Sequence, residues 1–186
     1  MSSPKYLVDA NVILSRTNHR EYDESLFPIY WGNFDKLVDE GTIISLLSVK
    51  NEIENVVGRQ EVNDEILNWV EDHSQMFKLP PDERYTNETI YVKHKLQGWY
   101  RKNQRKCDTD LVVFAKAYNL TLVTQETPNF NATKQGQYKM PTACKELGAY
   151  CRCGLLEVTY DVGPIQAPFH CINFVELVRR EKLNQV

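Results

Sequence analysis

The chain has 186 residues, of which 42% are hydrophobic and 25% are charged, a composition typical of one globular domain with its own core. Its formal net charge of -3 provides no global attraction to nucleic acid, so any such binding would need a local basic surface. The first residues lack the apolar run of a signal peptide, no stretch approaches transmembrane length, and the five cysteines are an odd number. We therefore expect a single domain over 1–186, in the cytoplasm, with reduced thiols and no membrane contact.

Strands and helices are predicted to alternate along most of the chain. Apolar runs predict buried strands at 6–8, 42–46 and 120–124, and a β-like run at 155–160. Amphipathic patterns and end signals predict helices at 27–40, 48–57 (with Ser48 as its N-cap), 64–74, 86–104, 108–118, 142–147 and 172–182. This alternation predicts an α/β fold with a parallel sheet and right-handed crossovers.

Four acids stand at comparable points of this pattern. Asp9 ends the first strand, and Glu126 comes shortly after the strand at 120–124. Glu52 lies in the helix after the second strand, and Asp108 opens the helix before the third. Open α/β sheets bind ligands at the carboxyl ends of their strands, so we expect these side chains to converge. Several carboxylates suit magnesium, which can activate a water and stabilise the leaving oxyanion in phosphodiester hydrolysis.

Each acid also has an ordinary structural interpretation. Glu52 fits a solvated helix face, and Asp108 fits an N-cap. Asp110 fits a first-turn interaction with the helix dipole, and Glu126 fits a loop charge. It is the ordered occurrence of the acids at element ends that favours a shared metal site.

The segments that contain these acids resemble the motifs of PIN-domain nucleases. The motifs are Val-Asp-Ala-Asn-Val at 8–12, the segment 45–53, the segment 108–115 and the strand at 120–124. Further segments resemble a longer bacterial PIN-like family of toxin-type (VapC-like) ribonucleases, namely 27–28, Trp31, 41–43, 69–70, 139–141 and Cys144. The resemblance implies a three-layer α/β/α fold with a central parallel sheet. It also implies a metal-dependent endoribonuclease that leaves a 5′-phosphate and a 3′-hydroxyl.

The same resemblance assigns roles to individual residues. The implied catalytic residues and ligands of Mg²⁺ or Mn²⁺ are Asp9, Glu52, Asp108 and Glu126, the last acting through water. Asn11 would position Asp9 or the site water. Asp110 is a further candidate metal ligand that competes with Asp108, although the offset to the last strand fits Asp108 better. RNA, an antitoxin protein and a second copy of the chain are the implied partners.

Two other functional classes fit parts of the same pattern. A catalytically inactive PIN-like module would bind RNA or a protein and would show no metal-dependent cleavage. A phosphatase of the haloacid dehalogenase type needs an Asp two positions after the first, where this chain has Asn11.

A basic segment precedes Asp108. Its basic residues, with no acid among them, are Lys93, Lys95, Arg101, Lys102, Arg105 and Lys106. Trp99 and Tyr100 lie between them and could stack on a base, so we predict an RNA-binding surface here. The alternative is a solvated helix face with both aromatic side chains in the core.

The C-terminal region carries a possible second metal site. Cys151, Cys153, His170 and Cys171 could supply four ligands to zinc, although their spacing matches no common zinc finger. Buried reduced thiols are the alternative. We expect an inserted hairpin or flap at 149–171 and a polar loop near the site at 129–136.

Overall fold

The computed structural model describes residues 3–17, 20–57, 64–80, 82–103, 107–129, 131–153 and 166–185. Within these residues six strands form one sheet: β1 (Tyr6–Val8), β2 (Ile43–Leu46), β3 (Phe77–Lys78), β4 (Thr121–Val123), β5 (Tyr150–Arg152) and β6 (His170–Ile172). Their order across the sheet is β3-β2-β1-β4-β6-β5, and every neighbouring pair is parallel. The predicted α/β fold with a parallel sheet and the three-layer α/β/α architecture are confirmed.

Helices connect the strands and cover the sheet. They are α1 (Ala10–Leu14), α2 (Pro28–Asp39), α3 (Leu47–Val57), α4 (Asp64–Asp72), α5 (Glu83–Lys95), α6 (Gln97–Asn103), α7 (Cys107–Tyr118), α8 (Met140–Glu146) and α9 (Phe174–Glu181), with 3₁₀ turns at Ser74–Met76 and Gln135–Gln137. Ser48 was predicted to cap α3, but the helix begins at Leu47 directly after β2, so Ser48 lies in its first turn. No helix in the described part of the chain combines the length and the apolar character needed to cross a bilayer.

The prediction of one helix over 86–104 is wrong, because the segment is divided at Leu96 between α5 and α6. Leu96 leaves the helical region, with φ -118° and ψ 48°, and buries its side chain in the core. The Gln135 side chain bridges the break, accepting from Gly98 N at 2.9 Å and donating to Lys95 O at 3.0 Å. A Cβ added at Gly98 would lie 3.1 Å from the Cβ of Gln135, so glycine allows this close approach.

The segment 149–171 contributes to the sheet at both of its ends. β5 and β6 are parallel neighbours, with Cys151 opposite Cys171 in the register. The last helix was predicted to begin at Ile172, but Ile172 is the last residue of β6. Asn173 caps α9, since its side chain accepts from Glu176 N at 3.0 Å. The predicted flap between the two strands and the β-like run at 155–160 lie outside the described residues, which omit 154–165.

A buried arginine fixes the chain just after α1. Arg16 is only 6% exposed, and its guanidinium lies 4.9 Å from the Trp31 ring and 4.5 Å from the Trp69 ring. It donates to Glu24 at 2.9 Å and to Asp35 at 3.1 and 3.2 Å. The buried guanidinium of Arg16 is therefore paired with two partly exposed carboxylates, and its pair with Asp35 connects α2 to the end of α1.

Candidate functional site

Asp9 occupies the carboxyl end of the central strand. Its backbone N–H donates to Val123 O at 3.0 Å, so it extends the pairing of β1 with β4 by one residue. Its carboxylate accepts from Ala10 N at 2.7 Å and from the Thr124 hydroxyl at 2.8 Å. Because it is also the N-cap of α1 and only 4% exposed, its position is fixed by two strands and one helix.

The surroundings of Asp9 favour its neutral form. Burial raises the pKa of Asp9, and the charges of Asp108, Glu52 and Glu126 raise it further, to about 8. The hydrogen bond from Thr124 acts in the opposite direction but is outweighed. The structure thus brings the four acids singled out in the sequence into one electrostatic neighbourhood.

Glu52 is held by a thiol that the sequence analysis did not identify. Cys107 Sγ donates to Glu52 Oε2 at 2.7 Å and thereby connects α7 to α3. Burial, the charge of Asp9 and this hydrogen bond raise the pKa of the Cys107 thiol, so the group remains protonated and acts as a donor. Glu52 is half-buried, so the interpretation as a solvated helix face does not hold. The available signal was the position of Cys107 immediately before Asp108.

The two acids in the first turn of α7 have different partners. Asp110 accepts from the Tyr85 hydroxyl at 2.9 Å and therefore interacts with α5. The pKa of Tyr85 is raised by burial and then by the charge of Asp110. The negative charge of Asp108 instead raises the pKa of Asp9. Helix α7 begins at Cys107, so Asp108 is not its N-cap. These contacts favour Asp108 over Asp110 as the third acid of the site.

Thr124 connects the residues that follow β1 and β4. Its hydroxyl donates to Asp9 and accepts from Asn11 Nδ2 at 3.3 Å and from Glu126 N at 3.2 Å. Asn11 Oδ1 also accepts from Gln125 N at 2.8 Å. Asn11 is thus linked to Asp9 through the Thr124 hydroxyl. Thr124 was missed, although it is the first residue after a buried strand.

Glu126 has two further partners in the segment that begins α8. Its Oε2 accepts from Met140 N at 2.6 Å, and its Oε1 lies 3.7 Å from Lys139 Nζ. The carboxylate is therefore oriented by the start of α8 and partly neutralised by a lysine.

The donor chemistry at this site fits a hard divalent cation. Carboxylate oxygens are the ligands that magnesium and manganese prefer, and a cation would relieve the repulsion among the charges around Asp9. In the part of the chain that the structure describes, no three Asp, Glu, His or Cys side chains already surround a position that could hold a metal ion. Asp108, Glu52 and Glu126 interact electrostatically with Asp9, but the four side chains would have to move closer together to share one ion.

The predicted RNA-binding residues are partly accessible. Lys93 and Lys95 are exposed on the last turn of α5, and Arg101 and Lys102 on the last turn of α6. Trp99 is only 1% exposed and belongs to the core, so the prediction that it stacks on a base is wrong. Tyr100 is half-buried against the core. Arg105 and Lys106 lie outside the described residues.

The predicted zinc ligands do not all lie on one face of the sheet. Successive residues of a strand point to opposite faces, so His170 and Cys171 diverge. His170 Nδ1 lies 3.2 Å from Arg180 Nη1 of α9. The Cys171 thiol instead lies 3.6 Å from that of Cys153, and α8 with Cys144 packs against β6. His170 therefore does not point toward the cysteine thiols.

Comparison with known proteins defines the family. Residues 6–153 match the family described as Domain of unknown function (DUF4411). The chain belongs to the DUF4411 family. The match covers Asp9, Glu52, Asp108 and Glu126 and ends at Cys153, so this DUF4411 protein carries its acidic site inside the family region and β6 with α9 beyond it. Comparison with curated proteins and with solved structures finds no match.

Proposed function

We propose that this DUF4411 protein is a Mg²⁺- or Mn²⁺-dependent endoribonuclease that hydrolyses RNA phosphodiesters. The observation that supports the proposal is the burial of Asp9 among the charges of Asp108, Glu52 and Glu126. Such crowding of carboxylates at the carboxyl ends of the central strands is unfavourable unless a cation or protons offset it. The exposed basic residues at the ends of α5 and α6 supply attraction for a phosphate backbone.

Each side chain of the site has a distinct task in this proposal. Asp9, Glu52 and Asp108 would hold the cation, and Thr124 and Cys107 keep the first two of these carboxylates in place through their hydrogen bonds. When bound, the cation supplies Lewis acidity and lowers the pKa of a water molecule. Glu126, oriented by the start of α8, would accept a hydrogen bond from the attacking water.

In this proposal the basic residues orient the RNA in the site. Lys93, Lys95 and Arg101 would bind phosphates on either side of the scissile bond without reading the bases. Attack of water on phosphorus with departure of the 3′-oxygen would leave a 5′-phosphate and a 3′-hydroxyl. More specifically, we propose that the protein is a cytoplasmic toxin and that an antitoxin protein inhibits its activity.

The test compares three forms of the purified protein on labelled single-stranded RNA, with Mn²⁺ and with a chelator. The wild type should cleave only with the metal, Asp9→Asn should not cleave, and Asp110→Asn should cleave because Asp110 is bonded to Tyr85. Full activity of Asp9→Asn, or cleavage that persists in chelator, would overturn the assignment.

A second candidate is a non-catalytic module that binds RNA. It is favoured by the absence, among the described residues, of three acids that already enclose a metal position. This candidate predicts retention of RNA on the protein in chelator, loss of retention in high salt, and intact RNA after incubation with Mn²⁺. The same three proteins used in the cleavage assay separate the two candidates.

A further inference from the structure

Four of the five cysteines meet beneath the edge of the sheet formed by β5 and β6. The thiols of Cys144, Cys151 and Cys153 are close enough to that of Cys171 to raise its pKa. Cys153 Sγ lies 3.6 Å from Cys171 Sγ. All four side chains are buried, and together they are called the thiol cluster below.

Three separate segments place these thiols together. Cys151 and Cys171 are register partners in parallel strands, so their side chains point to the same face of the sheet. Cys153 follows Cys151 by two positions and shares that face. Cys144 comes from α8, which packs against both strands. The cluster is therefore a product of the tertiary fold and could not be read from the spacing of the cysteines.

The remaining contacts of the cluster are weak. Cys151 Sγ lies 3.5 Å from Pro141 O, and Cys153 Sγ lies 3.3 Å from Cys171 O. A thiol is a poor hydrogen-bond donor, and any small apolar residue would fill these positions as well. Packing therefore accounts for four small buried side chains, but it does not favour thiols over other small apolar side chains.

We propose that the thiol cluster binds one soft divalent cation, zinc, and that this ion has a structural role. Two sulfurs bound to one tetrahedral zinc at about 2.3 Å lie about 3.8 Å apart. The 3.6 Å between Cys153 and Cys171 agrees with that separation. Four sulfur ligands select zinc over magnesium, which prefers oxygen.

Binding requires local rearrangement and loss of protons. In the described structure no three of these thiols enclose a metal position, so the side chains must turn about their χ1 bonds to close around the ion. Each thiol that becomes a ligand gives its proton to solvent, and no electrons are transferred. The bound ion would join α8 to β5 and β6, and thereby fix Met140, whose N–H orients Glu126.

Metal analysis of reduced protein, purified without chelator from zinc-supplemented cells, tests the proposal. The wild type should contain one zinc ion per chain. Replacement of that zinc by Co²⁺ should produce thiolate-to-cobalt charge-transfer absorption and the strong visible bands of tetrahedral cobalt. Cys171→Ser and Cys153→Ser should lose both signals. Cys107→Ser is the matched control, because Cys107 contacts Glu52 and lies outside the cluster, and it should keep both.

Three results would overturn the proposal. The first is wild-type protein that holds no zinc, shows no cobalt–thiolate bands and titrates all five thiols in denaturant. The second is unchanged zinc in the two ligand variants, and the third is a disulfide between Cys153 and Cys171 in freshly purified protein. If Cys171→Ser does not fold, Cys153→Ser decides, because Cys153 lies past the end of β5. An inactive nuclease would not affect this outcome, since metal content is read directly.

Discussion

Replacement of Asp9 by asparagine should stabilise the metal-free protein while it abolishes cleavage. The amide has the shape of the carboxyl group, and its oxygen can still accept from Ala10 N. The hydrogen bond from the Thr124 hydroxyl is weakened or lost, because that hydroxyl already accepts from Asn11 Nδ2 and Glu126 N and cannot also accept from the new amide N–H. The substitution thus removes a titratable group from a buried site and costs one hydrogen bond of about 1 kcal/mol.

The size of the effect follows from the pKa of Asp9, which is 3.8 in an unperturbed carboxyl and about 8 in the folded protein. Between these values the folded chain holds a proton that the unfolded chain has lost, so stability falls as pH rises through this window. At about 1.4 kcal/mol per pH unit, the penalty is about 4 kcal/mol at pH 7 and about 2 kcal/mol at pH 5. Asparagine has no such penalty at either pH.

Urea unfolding in chelator at pH 5 and pH 7 measures this difference. After about 1 kcal/mol is subtracted for the lost hydrogen bond, and with a slope of about 2 kcal/mol per M, the midpoint of Asp9→Asn should exceed that of the wild type by about 1.5 M at pH 7 and by about 0.5 M at pH 5. Asp110→Asn serves as the control and should show no such gain, because the wild-type Asp110 carboxylate accepts a hydrogen bond from the Tyr85 hydroxyl. A variant less stable than the wild type at pH 7, or a difference that does not change with pH, would refute the reasoning.

Three further substitutions test other parts of the site and core. Asp108→Asn should abolish Mn²⁺-dependent cleavage of RNA, whereas Asp110→Asn should leave it within about threefold of wild type, since the amide oxygen can still accept from the Tyr85 hydroxyl; equal losses would contradict the assignment of the third acid. Cys107→Ala removes the donor to Glu52 and should weaken Mn²⁺ binding by about fivefold in calorimetry, with recovery in Cys107→Ser; an unchanged affinity in Cys107→Ala would rule out this role. Arg16→Ala removes a buried side chain that packs on the Trp31 and Trp69 rings and pairs with Glu24 and Asp35, and it should lower the free energy of unfolding by about 2 kcal/mol in urea; a loss below about 0.5 kcal/mol would show that these contacts contribute little.

The central part of the fold was predictable because its strands are buried on both faces. β1, β2 and β4 appear as apolar runs that turn signals interrupt, and these runs were recognised. β3 has two residues, and β5 has three, of which only the middle one is fully buried, so neither produces a pattern. The break at Leu96 was missed because tertiary packing of its side chain, and no proline or glycine at that position, ends α5.

The acids of the site were predictable from strand ends, but their supporting contacts were not. Asp9 and Glu126 follow buried strands, so the topology of parallel sheets brings them together. Cys107 and Thr124 act through single hydrogen bonds to partners far along the chain, which no local pattern encodes. His170 adjoins Cys171 in the sequence, but neighbouring residues of a strand point to opposite faces, and the sequence does not show that Cys144 of α8 packs on the face of Cys171.

The bridge between α5 and α6 has a mechanical consequence. Gln135 bonds to the backbone on both sides of the helix break, and the neighbouring Gly136 O accepts from Lys102 Nζ at 2.9 Å. The loop that carries Gln135 runs from Glu126 to the start of α8. An outward displacement of this loop would have to break these three contacts or carry α6 with it. Movement of the segment before α8 and orientation of the cationic end of α6 are thereby coupled.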